Sequence, residues 1–130
     1  MLVEHSVGHL QAPAILVVES QTPVRRLAVK ALTDAGFAVL EAADAGRGRE
    51  LLRTFGDSVV LAIIDMVTPG MGGLDLAIEL ERAHSGVKVL FTSRHLSSLV
   101  VDGLAWGFPE HLLVKPFSER ELIDHVTALL

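Results

Sequence analysis

The chain contains no cysteine and no tyrosine. Without cysteine there is neither a disulfide framework nor a thiolate ligand for a metal, so the fold needs no oxidising compartment. Cations are also in deficit, with 11 Lys and Arg against 16 Asp and Glu, for a net charge of −5. No stretch gathers Lys and Arg into a stripe that could follow a phosphate backbone, which argues against direct nucleic-acid binding. No apolar run approaches the roughly 20 residues of a membrane span. The first dozen residues carry Glu4, His5 and His9 where a signal peptide would have a basic start and an apolar block. The expectation is a cytoplasmic protein with no membrane segment.

What is present is apolar material: half of the 130 residues are hydrophobic, enough for one domain with a sizeable core and too few residues for a second. We expect an N-terminal tail over residues 1–13 and one domain over 14–130. No internal repeat, linker or low-complexity stretch interrupts it. The chain alternates strand and helix patterns about five times. Ile15 to Val18 reads as a first strand ending at Glu19; Thr22-Pro23 then offers a helix cap and a proline at the first helical position. Val24, Leu27, Ala28, Ala31 and Leu32 form one helical stripe before Gly36. Phe37 to Leu40 reads as a second strand. A helix follows from about Asp44, with Leu51, Leu52 and Phe55 inward and Gly56 as its stop. Gly46 and Gly48 weaken it by about 1 kcal/mol each relative to alanine.

The most informative segment is Val59-Val60-Leu61-Ala62-Ile63-Ile64-Asp65, six apolar residues delivering one carboxylate, with Thr68-Pro69-Gly70-Met71-Gly72-Gly73 as a turn behind it. A short unbroken apolar run suits a strand buried on both faces, as parallel sheets require. Leu74, Ala77 and Ile78 mark a third helix and Val87 to Thr92 a fourth strand. A short helix is expected over Leu96 to Leu104 and a loop over Trp106-Gly107-Phe108-Pro109. Leu112 to Val114 forms a fifth strand, closed by Lys115-Pro116. Ser118 and Glu121, in capping-box spacing, open a last helix. Strands alternating with helices of this length imply a parallel sheet with helices on both faces. All strand ends then point one way, and ligands bind at such an edge. Glu19, Asp65, Ser93 and Lys115, which are 46, 28 and 22 positions apart, can therefore converge.

With these residues in view, the chain resembles a receiver domain of bacterial two-component response regulators over roughly Ala14 to Leu130. Three pieces carry the likeness: Asp65 with Pro69-Gly70-Met71 and Gly73-Leu74-Asp75; Phe91-Thr92-Ser93; and Val114-Lys115-Pro116-Phe117. The resemblance implies a single (βα)5 doubly wound parallel sheet, flavodoxin-like, with strand order 2-1-3-4-5. It also implies roles. Asp65 is the phosphoacceptor nucleophile, Lys115 pairs with a phosphoryl oxygen, Ser93 stands at the switch Thr or Ser position, and Pro116 is joined to Lys115 by a cis bond. Such a protein promotes its own phosphorylation and dephosphorylation and is not a conventional enzyme. Mg²⁺ suits this chemistry because it takes one or two carboxylates together with waters and phosphate. Its ligands would be Glu19, Asp65 and the Val67 backbone carbonyl, with Ser20 offering at most a neutral hydroxyl.

Ser20 is a departure from the family pattern, which usually has two adjacent acids after the first strand. The pocket then carries about −1 instead of −2, and one lost charge near ~4 Å weakens cation binding by on the order of 1 to 4 kcal/mol per unit of cation charge. A weak Mg²⁺ site is expected. Arg94 follows Ser93 where a small residue is usual, and as a long cation it can modulate the lifetime of an acyl phosphate by shielding it from water. Leu112 occupies the switch position that often holds an aromatic. The six histidines show no metal-ligand spacing and are expected at the surface.

The chain ends at Leu130 with no output segment after the last helix. This leads us to expect a stand-alone receiver in a phosphorelay, taking its phosphoryl group from a histidine kinase or phosphotransfer protein. Signalling would pass through the face of the fourth and fifth helices and the fifth strand, where Leu99, Val100, Val101, Trp106 and Phe108 supply apolar surface and where a homodimer could form. The alternative from another class is a pseudo-receiver scaffold, impaired in metal binding and phosphorylation by Ser20. An FMN-binding protein is disfavoured because Glu19 would repel phosphate after the first strand, and a haloacid-type phosphatase because Val67 stands where it needs a second Asp.

Overall fold

The computed structural model describes residues 13–67, 72–94 and 111–130. Five strands, β1 (Ala14–Val18), β2 (Ala38–Ala42), β3 (Val59–Asp65), β4 (Lys88–Ser93) and β5 (Leu112–Val114), form one sheet of order β2-β1-β3-β4-β5. Every pairing is parallel. The apolar runs explain the order. β1 is buried at all five positions and β3 at all but Val60, so these two occupy the centre, where helices cover both faces.

The described helices are α1 (Thr22–Asp34), α2 (Ala45–Phe55), α3 (Gly73–Ala83) and α4 (Glu119–Leu129). Alternation along the central strands divides the core in two. Leu16, Val18 and Ile64 pack with Leu76 and Leu80 of α3 on one face, while Ile15, Val17, Leu61 and Ile63 pack with Leu32 of α1 and Leu122 and Val126 of α4 on the other. Complete burial of such side chains contributes about 1.5–3 kcal/mol each. Among the described residues no helix is long and apolar enough to cross a membrane.

Local chemistry sets the boundaries. α1 begins at Thr22 itself, with Gln21 as its N-cap residue, one position ahead of the sequence expectation. The reason is that the Gln21 N–H donates to Glu19 Oε2 at 3.0 Å, which starts the turn early. β2 runs from Ala38 to Ala42, so Phe37 stands before it and Glu41 lies within it. Asp44 caps α2 by accepting from the Arg47 N–H at 2.8 Å. Gly48 has a packing reason: a Cβ there would stand 3.0 Å from Val18 Cγ2 and 3.2 Å from Leu76 Cδ2, so glycine lets α2 settle between strand and α3. Ser118 and Glu121 form a complete capping box at α4. The turn at Thr68–Met71, the helix expected over Leu96–Leu104, the Trp106–Pro109 loop, the apolar residues Leu99 to Phe108 and the tail up to residue 12 lie outside the described residues. The helix counted fifth in the sequence is therefore α4.

Candidate functional site

The parallel order places Glu19, Asp65, Ser93 and Lys115 at the carboxyl ends of β1, β3, β4 and β5, along one edge of the sheet. Asp65 is the last residue of β3, and its side chain is 9% exposed. Its Oδ1 accepts from the Val67 N–H at 3.0 Å, a carboxylate folding back on its own turn. Its Oδ2 accepts from Lys115 Nζ at 3.0 Å. The main chain behind it is fixed by the Met66 N–H, which donates to the Thr92 carbonyl at 3.1 Å. α3 approaches the Asp65 main chain itself: a Cβ on Gly73 would run into the Asp65 carbonyl oxygen.

Lys115 is held from two directions. Its main-chain N–H donates to the Ser93 carbonyl at 2.8 Å, extending the β4–β5 ladder by one bond, and its peptide bond to Pro116 is cis. Its ammonium lies 2.6 Å from Glu19 Oε1 as well as 3.0 Å from Asp65 Oδ2, with side-chain exposures of 7% for Lys115 and 4% for Glu19. One cation between two buried acids leaves a formal charge of −1. Burial pushes the Glu19 carboxyl above its ordinary 4.5 and the charge of Asp65 adds to this, while the bonds from Lys115 and Gln21 pull it back down. Arg25, in the first turns of α1, donates from Nη1 to the Glu19 carbonyl at 2.8 Å and from Nε to Glu41 Oε1 at 3.1 Å.

The other residues singled out in the sequence occupy distinct places. Ser93 is buried at the end of β4, one position beyond Thr92, which pairs with Asp65. Leu112 is buried in the core opposite Phe91. Ser20 is half-buried and adds no carboxylate, and Val67 is 75% exposed. Arg94 is exposed and lines a cavity of about 500 Å³ with Lys115, Pro116 and Phe117, which opens against Val24 and Leu27 of α1. Arg25, Gln21 and the close approach of Gly73 were not foreseen, because each acts on or through main-chain atoms that carry no residue signature. Of the six histidines, His5, His9 and His95 lie outside the described residues. His84, His111 and His125 are half-buried, His84 packs where a Cβ on Gly56 would fall, and His111 Nδ1 lies 2.7 Å from the Val89 carbonyl.

Glu19, Asp65 and the Val67 carbonyl are hard oxygen donors of the kind Mg²⁺ takes. Both carboxylates, however, are already bonded to Lys115, and position 20 is a serine. Among the described residues no group of three or more His, Cys, Asp or Glu side chains is arranged to hold a metal ion. The donor set fits a loosely held cation that shares its acids with Lys115.

The chain matches the family model of the response regulator receiver domain over residues 15–127. It is 37% identical over 117 residues to the uncharacterized transcriptional regulatory protein YrkP of Bacillus subtilis, a match covering 89% of this chain and 48% of that protein. It is 30% identical over 128 residues to the sensor kinase CckA of Brucella abortus, covering 98% of this chain and 14% of the kinase. The chain thus spans half or less of the length of these relatives. Among solved structures, a response regulator receiver protein from Sinorhizobium medicae superposes with a TM-score of 0.79 at 22% identity, covering 92% of this chain and 94% of that one. The response regulator TrrA of Thermotoga maritima, solved in complex with Mg²⁺-BeF, superposes with a TM-score of 0.70 at 25% identity, over 90% of this chain and 98% of that one. With a family model covering nearly its full length, the same sheet order and a buried aspartate-lysine pair at the sheet edge, the chain belongs to the receiver domain family of two-component response regulators.

Proposed function

We propose that this receiver accepts a phosphoryl group on Asp65 from a histidine kinase or phosphotransfer protein in the cytoplasm, and signals by protein contacts. The observation that carries this reading is the Lys115 ammonium 3.0 Å from Asp65 Oδ2 in a buried pocket at the carboxyl edge of the sheet. In the reaction an Asp65 carboxylate oxygen attacks phosphorus, the bond from phosphorus to the donor breaks with its electron pair leaving on the donor, and an acyl phosphate results. Most of the catalysis in such a transfer is positioning and neutralisation of the phosphoryl oxygens. Lys115 would supply the charge, the Ser93 hydroxyl would donate to a second oxygen, and Arg94 would shield the product from water. Mg²⁺ would be held by Glu19, Asp65 and the Val67 carbonyl, and when bound would neutralise further phosphoryl charge. The homodimer and the signalling face belong to the same proposal.

Incubation with acetyl phosphate and Mg²⁺, followed by intact mass, tests the reading. A gain of one phosphate that is lost in Asp65→Asn supports it, and an unmodified protein at saturating donor would refute it. The second reading, a pseudo-receiver scaffold, draws on Ser20 and on the clamping of both acids by Lys115. The same missing charge sets an expected affinity: Mg²⁺ should bind at least about tenfold more weakly than to a receiver with two adjacent acids. Amide shifts near Asp65 during a Mg²⁺ titration would measure this, and sub-millimolar binding would contradict it.

A further inference from the structure

Glu19 has a partner on each of its polar atoms. Its carboxylate receives Lys115 at 2.6 Å and the Gln21 N–H at 3.0 Å, its own N–H donates to the Ala42 carbonyl at 2.9 Å, and its carbonyl receives Arg25 Nη1 at 2.8 Å. Three of these bonds come from the site or from the adjoining main chain. The fourth comes from the Arg25 side chain on α1.

We propose that Arg25 is a positioning residue for phosphoryl transfer: by holding the Glu19 carbonyl and bracing itself on Glu41, it fixes where the Glu19 carboxylate meets the Lys115 ammonium. This rests on the phosphoacceptor reading for its consequence, though not for its geometry. Glutamate reaches its carboxylate through three side-chain torsions, so the place of that carboxylate depends on how firmly the main chain is held. Glu19 is 3% exposed, and a carbonyl so deeply placed that loses its donor turns to find another. That rotation carries the side chain away from Lys115. Arg25 suits the task because its planar fork serves two acceptors at once, the Glu19 carbonyl and Glu41 Oε1, which a lysine cannot do with the same rigidity. Glu41 lies on β2, where it pairs with Val17 of β1, so the brace stands on the sheet itself. Paired to Glu41, the guanidinium stays with α1 and does not join the site acids as a second cation.

The test reads Lys115 directly. The chain has three lysines, and Lys30 and Lys88 are exposed, so a slowly exchanging lysine ammonium resonance in ¹⁵N NMR of the unphosphorylated protein belongs to Lys115. In Arg25→Met, which keeps the aliphatic stem, this resonance should collapse into the exposed signals. Phosphorylation by acetyl phosphate should then slow by about tenfold, the lower end of what a hydrogen bond to a charged group is worth. Arg25→Lys, which keeps a cationic donor, should bring the rate within about threefold of the original, since a single donor can still serve the carbonyl. A lowered melting temperature in Arg25→Met with the Lys115 resonance unchanged would overturn the proposal, since a purely structural arginine would give that result. If Arg25→Met does not fold, Glu41→Gln at the half-exposed end of the brace decides. A shifted Lys115 resonance with a slower rate supports the proposal, and an unchanged one overturns it. Because the resonance needs no phosphate, failure of acetyl phosphate to modify the unsubstituted protein would refute the proposed function alone, and the clamp would still be judged on the spectrum.

Discussion

Lys115→Met is expected to cost the fold about 3 kcal/mol at neutral pH and to slow phosphoryl uptake by about a hundredfold or more. The ammonium is the partner of two acids that are otherwise withdrawn from water, with side-chain exposures of 4% for Glu19 and 9% for Asp65. Removing it leaves two carboxylates buried together, and breaking a buried pair by deleting one member typically costs 3–5 kcal/mol because the remaining charge has nothing to answer it. The lower end applies here because the Gln21 and Val67 N–H groups still donate to the two carboxylates. The kinetic loss follows from charge that the lysine would place on a phosphoryl oxygen, a contribution of the kind that costs roughly 10²–10³ in rate when one preorganised donor is removed.

The same variant should show a pH signature. Burial already holds the Glu19 carboxyl above its ordinary 4.5, and losing Lys115 deletes the two influences of that side chain that lower it. The folded state then binds a proton at Glu19 more tightly than the unfolded state does. Stability linked to this group is fully present below about 4.5 and is lost as pH rises through the higher folded value. The deficit of Lys115→Met relative to the unsubstituted protein should therefore shrink as pH falls from 7 towards 5. Urea unfolding at several pH values measures it, and a deficit independent of pH would sink this account. Glu19→Gln in the same background should recover part of the loss at pH 7.

Gly73→Ala is expected to destabilise by about 3 kcal/mol, although helix propensity alone argues the opposite way by about 1 kcal/mol in favour of alanine. The added methyl would meet the Asp65 carbonyl oxygen and would stand 2.9 Å from Ile64 Cγ2, so either the start of α3 or the end of β3 has to move. The obstacle is backbone, which cannot step aside as a flexible side chain would. Because the displaced group carries the proposed phosphoacceptor, phosphorylation should slow along with the loss of stability. Gly72→Ala serves as the control: its nearest contact is Asp75 Oδ2 at 3.5 Å, an ordinary van der Waals distance, and its melting temperature should stay within a few degrees. Equal effects at the two neighbouring glycines would mean that the close approach to β3 is not what requires glycine at position 73.

The strands were legible because their signal is collective: apolar runs such as Val59 to Ile64 mark a central parallel strand whatever their neighbours are. Once the parallel order is granted, the meeting of Glu19, Asp65 and Lys115 follows from topology, and the distances of 2.6 and 3.0 Å agree with that reading. What escaped was main-chain business. Nothing in the letters Arg25 or Gln21 says that one will grip the Glu19 carbonyl or that the other's N–H will reach the Glu19 carboxylate and start α1 one residue early. Gly73 could be read as a turn residue, but its contact with β3 depends on how α3 docks, which no local pattern encodes. The partner of His111 escaped for a similar reason: it is the Val89 carbonyl of the neighbouring strand, and carbonyls are alike in every sequence.

The unequal grip on the ammonium, 2.6 Å to Glu19 and 3.0 Å to Asp65, has an electrolyte consequence. The pocket brings its own counter-ion, tethered more closely to Glu19 than to Asp65. Added salt reaches exposed pairs such as Lys30–Asp34, whose side chains are 65% and 64% exposed. It screens the largely buried Lys115 pairs far less, so their attraction depends little on monovalent salt.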